Sequence, residues 1–301
     1  MVAACTGPFA LAMSDPGLPP IDSLWDYNDP RGSEERFRAV WSTAQNSGDT
    51  AYEAELITQL ARTLGLQLKF DAAHALLDSV QPLLPAAGSR ARVRYLLERG
   101  RTWNSSGSKE RACEFFTDAW ETASEHELWG LAVDAAHMVA IAQPEAAFEW
   151  NLRALELALQ TDDPDARRWR GSLYNNLGWT CFERTQYDSA LAYFEEALAC
   201  RIEQGKPADV LVARWCVAKC RRVLGQLEVA LAEQLRLERD TQAAGAPDGF
   251  VLEEIAECLW SLGRTEEARP YFARAHELLS QDPWIARDEP DRLARLLNLG
   301  R

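Results

Sequence analysis

The chain has few lysines and a shortage of positive charge overall. Its 301 residues contain only four lysines, and the 32 basic residues are outnumbered by 46 acidic ones, which gives a formal net charge of −14. A surface of this sign repels phosphate backbones, so the composition argues against nucleic-acid binding. Arginine supplies almost all of the positive charge, which fits a helix-rich chain because arginine is a good helix former.

The sequence also lacks any long apolar run. No stretch approaches the roughly 20 apolar residues that a membrane-spanning helix needs. The run from Pro8 to Met13 is too short for a secretory signal, and the first basic residue, Arg31, comes only after it. We therefore expect a cytoplasmic protein that makes no membrane contact.

The signatures of common catalytic and metal sites are missing as well. The sequence contains no glycine-rich phosphate loop and no serine nucleophile motif, and His126-Glu127 lacks the second histidine of a zinc-protease helix. The seven cysteines are odd in number, and Cys216 and Cys220 lie one helical turn apart without a further ligand pair. This pattern indicates reduced, buried thiols. We expect a protein that is not an enzyme and that holds no metal or cofactor.

What the chain does contain is a repeated pair of small residues. At six places spaced by about one period, an alanine or glycine is followed twelve positions later by alanine, and the second members lie 39, 35, 43, 40 and 38 residues apart. The pairs are Ala61/Ala73, Gly100/Ala112, Ala135/Ala147, Gly178/Ala190, Ala218/Ala230 and Ala256/Ala268. Two antiparallel helices can approach closely where both offer small residues. A period near 40 therefore predicts stacked helical hairpins.

The first 32 residues differ from the rest of the chain. Residues 1–32 are rich in proline and glycine, and we expect them to form an irregular N-terminal arm. Leu24, Trp25 and Tyr27 are apolar enough to dock this arm on the body.

The remainder divides into an array with a helix at each end. Ser33 is the expected N-cap of a capping helix over residues 33–48, and a second capping helix is expected over residues 284–301. The array over residues 50–282 is expected to contain six units, at about 50–87, 90–126, 128–160, 168–204, 208–244 and 249–282.

The fourth unit carries the residues of a known motif. It contains Tyr174, Leu177, Gly178, Cys181, Tyr187, Ala190, Phe194 and Ala197, at spacings that resemble the tetratricopeptide repeat. The second and sixth units match well, and the first and fifth match in part. The third unit is the weakest, with Asn151 where an aromatic residue is usual. The period near 40, against 34 in the common repeat, resembles the extended subclass found in kinesin light chains.

The resemblance implies a fold and a place for binding. The fold is all-α, a right-handed superhelical solenoid of about six antiparallel helical hairpins with capping helices. Its concave groove is lined by the first helix of each hairpin and usually holds a peptide or a partner helix. The residues expected to bind a partner in that groove are Arg62, Arg94, Arg101, Asn104, Asn175, Trp179, Trp215, Lys219 and Arg222.

These residue types favour one kind of partner. Arginine and aromatic residues dominate binding hot spots, and arginine pairs carboxylates through two hydrogen bonds. The expected partner is therefore another protein or peptide, with an acidic segment. The alternative for the arginines is pairing with neighbouring glutamates, and the alternative for the tryptophans is packing between repeats.

The leading hypothesis is a non-enzymatic scaffold or adaptor that binds a peptide or helix of a partner protein in the concave groove. The alternative is a self-associating, homodimeric structural protein whose N-terminal arm occupies the groove, either its own or its neighbour's. A peptide-sensing regulator is a third hypothesis, and its output would pass through a separate protein.

Overall fold

The structure is a computed structural model that describes residues 17–301, and every regular element in that range is helical. The chain forms two compact units, the first ending at Arg167 and the second running from Arg168 to Arg301. Within each unit, consecutive helices pack in pairs joined by short turns, as in an αα-hairpin. None of the helices in this range combines the length and the apolar character needed to span a bilayer.

The first unit contains three helical hairpins and a helix before them. Its helices are α1 (Pro30–Ser47), α2 (Thr50–Leu66), α3 (Phe70–Val80), α4 (Leu84–Ser105), α5 (Lys109–Glu125), α6 (Trp129–Ala142), α7 (Ala147–Gln160) and the short α8 (Pro164–Arg167). The first helices of the three hairpins are α2, α4 and α6. Gly88 interrupts α4 with a positive φ of 82°, so the regular part of that helix begins after it.

The second unit also contains three hairpins, followed by two short helices. Its helices are α9 (Arg170–Glu183), α10 (Tyr187–Gln204), α11 (Pro207–Val223), α12 (Leu227–Ala243), α13 (Gly249–Ser261), α14 (Thr265–Leu279), α15 (Pro283–Asp288) and α16 (Pro290–Leu299). The first helices of these hairpins are α9, α11 and α13.

The repeated small residues lie where paired helices meet. Eleven of the twelve are buried, and only Ala147 is partly exposed. In the fourth unit a Cβ added to Gly178 would lie 2.6 Å from Cδ1 of Phe194, so the ring occupies the space that the missing side chain leaves. Phe116 and Phe272 take the same position in the second and sixth units and are fully buried.

The fifth unit departs from this pattern. Gln234 stands at the position of Phe194 and is fully buried, and neither its amide nitrogen nor its amide oxygen has a hydrogen-bond partner among the described residues. A buried amide without a partner reduces stability.

The N-terminal arm is described from residue 17 onward. The first half of the expected irregular arm of residues 1–32, namely residues 1–16, lies outside the described residues. Cys5 and the run from Pro8 to Met13 belong to that half. The described part contains one 3-10 turn, Ile21–Leu24, and it packs on its own unit. Leu24 is buried against Phe37, as the sequence predicted for an arm docked on the body.

The start of α1 differs from the prediction. Ser33 was expected to be the N-cap, but the helix begins at Pro30 and Asp29 caps it, its carboxylate accepting a hydrogen bond from the Gly32 amide at 2.9 Å. Proline suits the first position of a helix because it lacks an amide hydrogen that would go unused there. Ser33 instead hydrogen-bonds the backbone of Asp26 and ties the arm to the helix.

Alanine substitutions at two helical glycines test the close packing. Gly178→Ala is expected to lower the free energy of unfolding by about 1–3 kcal/mol, because the new Cβ would overlap the Phe194 ring. Gly65→Ala is the matched control, since its Cβ would meet nothing closer than Thr102 Oγ1 at 3.9 Å. Its higher helix propensity is expected to raise the free energy of unfolding by up to about 1 kcal/mol. Urea denaturation followed by circular dichroism measures both, and stabilisation by both alanines would contradict the close approach.

Candidate functional site

The nine residues predicted to bind a partner all lie on first helices, and all are partly buried. The first unit holds Arg62 on α2 and Arg94, Arg101 and Asn104 on α4. The second unit holds Asn175 and Trp179 on α9 and Trp215, Lys219 and Arg222 on α11. The residues of the first unit are three arginines and an asparagine. Those of the second unit are two tryptophans, two cations and an asparagine.

In the first unit the charges form a chain across three first helices. Glu98 of α4 is 1% exposed and accepts hydrogen bonds from Arg62 of α2 at 3.2 Å and from Arg101 at 2.7 Å. Arg101 also donates to Asp134 of α6 at 2.5 Å. Burial would raise the pKa of Asp134, but the charges of Arg101 and Arg62 outweigh it and lower that pKa. Both carboxylates are thus held as partners of arginines.

Arg94 lies apart from this chain. It donates to Glu55 of α2 at 3.3 Å, and Arg90 reaches the same carboxylate. Asp22 of the arm lies 3.9 Å from Arg94. The four arginines of this face are therefore matched by four carboxylates: Asp22, Glu55, Glu98 and Asp134.

The N-terminal arm borders the same face. Trp25 and Tyr27 stack with ring centroids 4.7 Å apart, and the Arg62 guanidinium lies 5.8 Å and 5.4 Å from the two ring centroids. The Trp25 indole donates to Gln59 of α2 at 3.1 Å. Tyr27 is 60% exposed, so the arm adds an accessible aromatic ring to the face.

In the second unit the aromatic rings form a row across three first helices. The ring centroids of Trp179 and Trp215 are 6.1 Å apart, and those of Trp215 and Phe250 are also 6.1 Å apart. Trp179 also contacts Phe194 of α10, with centroids 5.2 Å apart. Asn175, on the same helix as Trp179, accepts a hydrogen bond from the Cys216 thiol at 3.6 Å. The two tryptophans thus pack between neighbouring repeats, the alternative considered for them.

A buried carboxylate holds the two predicted cations of this unit. Glu254 of α13 is 1% exposed and accepts from Lys219 at 2.6 Å and from Arg222 at 2.7 Å. Burial alone would raise the pKa of the Glu254 carboxyl, but the hydrogen bond from Arg222 and the charge of Lys219 outweigh burial and lower it. The Lys219 ammonium also lies 5.0 Å from the Trp215 ring centroid.

Three carboxylates at the end of the array pair with arginines that the sequence did not single out. Arg292 of α16 pairs with Glu253 and with Glu289, and Arg295 of α16 pairs with Glu257. The sequence did not show that Arg292 and Arg295 face α13, because α16 was expected only to cover the last repeat.

The ion pairs agree with the alternative that was left open for the cations, pairing with neighbouring carboxylates. Each of the five predicted cations pairs with at least one carboxylate of its own unit. Whether the nine residues bind a partner stays a prediction.

The second unit also contains a cavity that was not predicted from the sequence. It encloses about 500 Å³ between α11, α12 and α13. Its walls are mostly apolar and include Trp215 and Phe250, with Val212 at its rim and 60% exposed. Two small residues just after α12, Ala244 and Ala246, line this space, and the spacing of the repeat gives no sign of it.

The described part of the chain contains neither an exposed thiol nor a cluster of metal-ligand residues. Its six cysteines are free and buried. Burial raises the pKa of the Cys216 thiol and of the Cys258 thiol to about 12, so both stay protonated and poorly nucleophilic. Residues 17–301 contain no group of three or more histidine, cysteine or acidic residues placed to hold a metal ion.

The ion pairs at Glu254 give a pH-dependent prediction. Glu254→Gln is expected to lower the free energy of unfolding at pH 7 by about 1–3 kcal/mol, because it removes the charge that Lys219 and Arg222 neutralise. The folded-state pKa lies below the ordinary 4.5, so this stabilisation is present above pH 4.5 and is lost as the pH falls through the folded pKa. Denaturation from pH 7 downward should show the difference from wild type shrinking.

The matched control for this measurement is Glu267→Gln. Glu267 pairs with Arg264 on the surface at 2.8 Å, where solvent screens the interaction, and we expect stability to be unchanged. A difference for Glu254→Gln that stays constant with pH would contradict the assigned role of the carboxylate.

Two models of the tetratricopeptide repeat match the sequence. One covers residues 135–203 and the other covers residues 251–278. The first match includes most of the third unit, whose residues resemble the motif least. No curated protein sequence shows significant similarity to the chain.

Solved structures share the fold at low sequence identity. The chain is similar to a signal transduction ATPase with numerous domains and a tetratricopeptide repeat sensor from Pyrococcus horikoshii (15% identity, TM-score 0.72), over 89% of this chain and 42% of that one. It is similar to the apo form of RapI (12% identity, TM-score 0.71), over 92% and 78%. It is also similar to NprR in complex with its cognate peptide NprX (15% identity, TM-score 0.50), over 93% and 81%.

These comparisons agree with the helical hairpins of both units. At such identities the likeness shows the fold alone, an all-α solenoid, and the extended-repeat subclass stays a prediction. On the family matches, the chain contains tetratricopeptide repeats over residues 135–203 and 251–278, within a fold that it shares with the solved repeat structures.

Proposed function

We propose that this protein is a non-enzymatic scaffold that binds a peptide or helix of a partner protein along its first helices. The tetratricopeptide fold supports this, and so does a structural neighbour that was solved with its cognate peptide. The observation that carries the proposal is the apolar cavity of about 500 Å³ beside Trp215 and Phe250. A cavity of this size lies within the range of ligand pockets, about 300–1,000 Å³.

The polar groups in the cavity wall are already satisfied. The Asp248 carboxylate caps α13 and accepts from the Phe250 amide at 2.8 Å. The Thr241 hydroxyl donates to the Glu238 carbonyl at 3.1 Å, and the Trp215 indole donates to the Phe250 carbonyl at 3.3 Å. The wall thus favours an apolar group, and the proposed ligand inserts an aromatic or branched aliphatic side chain.

The charge balance supports recognition by shape and apolar burial. The cations Lys219 and Arg222 already pair with Glu254, and displacing them would leave that carboxylate buried and unpaired, which is costly. An acidic partner would have to compete with this pairing. The proposal therefore does not require the partner segment to be acidic.

The described part of the arm supports one element of the alternative hypothesis, in which the N-terminal arm occupies the groove. Residues 17–29 pack on their own unit through Leu24, and Trp25 and Tyr27 border the charged face. This favours the chain's own face over a neighbour's, and the homodimer gains no support from it. The scaffold is proposed to act in the cytoplasm, in keeping with six free cysteines in the described chain.

A glutamate at the cavity rim tests the proposal. Val212→Glu is expected to weaken partner capture about ten-fold, because an apolar anchor would have to share the cavity with a carboxylate. Val229→Glu is the matched control, since Val229 is 52% exposed on α12 and lies outside the cavity lining. Quantitative affinity capture from lysate of the source organism, with circular dichroism of each variant, makes the comparison.

The outcomes separate the hypotheses. A partner kept by Val229→Glu and lost by Val212→Glu would place binding at the cavity. A partner retained equally by both variants would contradict the anchor. Absence of any captured partner, together with a concentration-dependent dimer in sedimentation, would favour the homodimer.

A further inference from the structure

The N-terminal arm follows the first helices of the first unit. The Tyr52 hydroxyl of α2 donates to the Pro19 carbonyl at 2.8 Å, and further along α2 the Gln59 side chain accepts from the Trp25 indole at 3.1 Å. The arm therefore runs in the same direction as α2 and covers one face of that helix. Residues 17–22, which precede the buried Leu24, are called the resident segment below.

The resident segment meets α2 through a pair of prolines. Pro20 has φ −56° and ψ 132°, close to the values of a polyproline II helix. Such a segment has no internal hydrogen bonds, and proline has no amide hydrogen, so the carbonyls need donors from outside. The Tyr52 hydroxyl is such a donor. Burial, with the charges of Asp49 and Glu55, raises the pKa of Tyr52 and keeps its proton on the oxygen.

The acidic end of the resident segment lies beside two arginines. The Asp22 carboxylate lies 3.9 Å from the Arg94 guanidinium, which also pairs with Glu55 at 3.3 Å. Arg90 pairs with the same Glu55 at 3.3 Å. Two arginines thus share one carboxylate of the helices, and Asp22 supplies the negative charge that balances them. A segment that docks here is favoured by a carboxylate at this end.

The resident segment fits this surface incompletely. A cavity of about 310 Å³ remains between the segment and the two helices, with Tyr52, Glu55 and Arg90 in its wall. A space of this size lies at the lower end of the range for ligand pockets, about 300–1,000 Å³. A segment that fills this space would bury more surface than the resident one does. The surface therefore has room for an occupant that fits better.

Few contacts hold the resident segment in place. Leu18 and Ile21 are partly buried, and within the described chain the bond from Tyr52 is the single hydrogen bond from α2 or α4 to the segment. The Asp22 side chain is 78% exposed. The firm attachment of the arm begins at Leu24, which is buried against α1. The segment can therefore leave the surface while the rest of the arm stays attached.

We propose that the surface formed by Tyr52, Arg90 and Arg94 binds a proline-rich segment of a partner protein, and that the resident segment is its internal competitor. The partner segment carries two consecutive prolines in the polyproline II conformation and a carboxylate two residues after them. The preformed proline helix loses little entropy on binding, as in other recognition of proline-rich segments by aromatic side chains.

This surface is independent of the cavity beside Trp215. That cavity lies in the second unit and takes an apolar side chain, whereas this surface lies in the first unit and takes prolines and a carboxylate. The two share no residue, so either can fail while the other stands.

The test is a fluorescence-anisotropy titration of the full chain with a labelled peptide. The probe has the sequence of residues 17–23, Gly-Leu-Pro-Pro-Ile-Asp-Ser, with fluorescein at its N-terminus and an amide at its C-terminus. One control peptide has alanines in place of both prolines, and another has asparagine in place of aspartate. The arm-weakened variant, Pro19→Ala/Pro20→Ala/Asp22→Ala, opens the surface and keeps Leu24 as the anchor. Circular dichroism checks that it folds.

The arm-weakened variant is expected to bind the probe about ten-fold more tightly than wild type, because a tethered segment competes at a millimolar effective concentration. In that variant, Tyr52→Phe is expected to weaken binding about five-fold, since it removes one hydrogen-bond donor. Tyr187→Phe, in the second unit, is the matched control and is expected to leave binding unchanged.

The control peptides test the pattern of the segment. The alanine peptide is expected to bind about ten-fold more weakly than the probe, because it is no longer preorganised. The asparagine peptide is expected to bind about two- to five-fold more weakly, the range for a solvent-exposed ion pair.

The wild-type chain gives a second measurement that does not depend on the folding of a variant. In an NMR titration of the isotope-labelled chain, unlabelled probe is expected to move the amide signals of Ile21 and Asp22 toward random-coil positions, while the signal of Leu24 stays in place. Signals of Ile21 and Asp22 that do not move at saturating peptide would contradict the displacement.

The results separate this surface from its alternatives. Tighter binding by the arm-weakened variant, reduced by Tyr52→Phe and by loss of the prolines, supports the proposal. Equal binding by wild type and the arm-weakened variant, or binding that Tyr52→Phe leaves unchanged, would overturn it. So would the absence of binding at millimolar peptide, or dimers of the variant that exclude the peptide.

Discussion

Ion pairs between consecutive first helices hold this structure in register. Glu98 joins α2 to α4 through Arg62, and Glu254 joins α11 to α13 through Lys219 and Arg222. Their partners stand 32–36 residues away, close to one repeat. Both carboxylates are almost fully buried, and a buried charge is tolerated only while its partners remain. Each such carboxylate therefore specifies which turn of one helix lies beside which turn of the next.

The same pairs determine what the faces can recognise. The chain carries a net charge of −14, but the described faces of the first helices contain basic and acidic groups in matched pairs. The basic side chains of these faces are thus already engaged in ion pairs within the fold. What remains for a ligand is shape, above all the apolar cavity beside Trp215 in the second unit.

The sequence predicted the features that repeat. Small residues such as Gly178 and Ala190 recur because helices must approach closely, and their spacing is visible without a structure. The helical hairpins and the all-α fold followed from them and are confirmed. The docked arm was also predictable, because Leu24 and Trp25 are apolar within a polar segment.

Features that depend on helix phase and on long-range partners were not predictable. On α4, Leu97 is fully buried although Arg94 and Arg101 on the same helix reach the surface, and a small error in helix phase would exchange the two faces. One partner of Arg101, Asp134, lies 33 residues away, and Arg292, the partner of Glu253, lies 39 residues away. The cavity beside Trp215 is lined in part by small side chains, and no motif marks it. The capping of α1 by Asp29 rather than Ser33 reflects Pro30, whose fixed φ suits the first helical position.

The most direct test of this account is a double-mutant cycle between Arg222 and Glu254. Unfolding free energies of Arg222→Met, Glu254→Gln and the double variant give the coupling between α11 and α13. The account predicts a favourable coupling of about 1–3 kcal/mol at pH 7, the range for residues in one ion-pair network. A coupling indistinguishable from zero would show that the first helices hold their register without these pairs and would contradict the account.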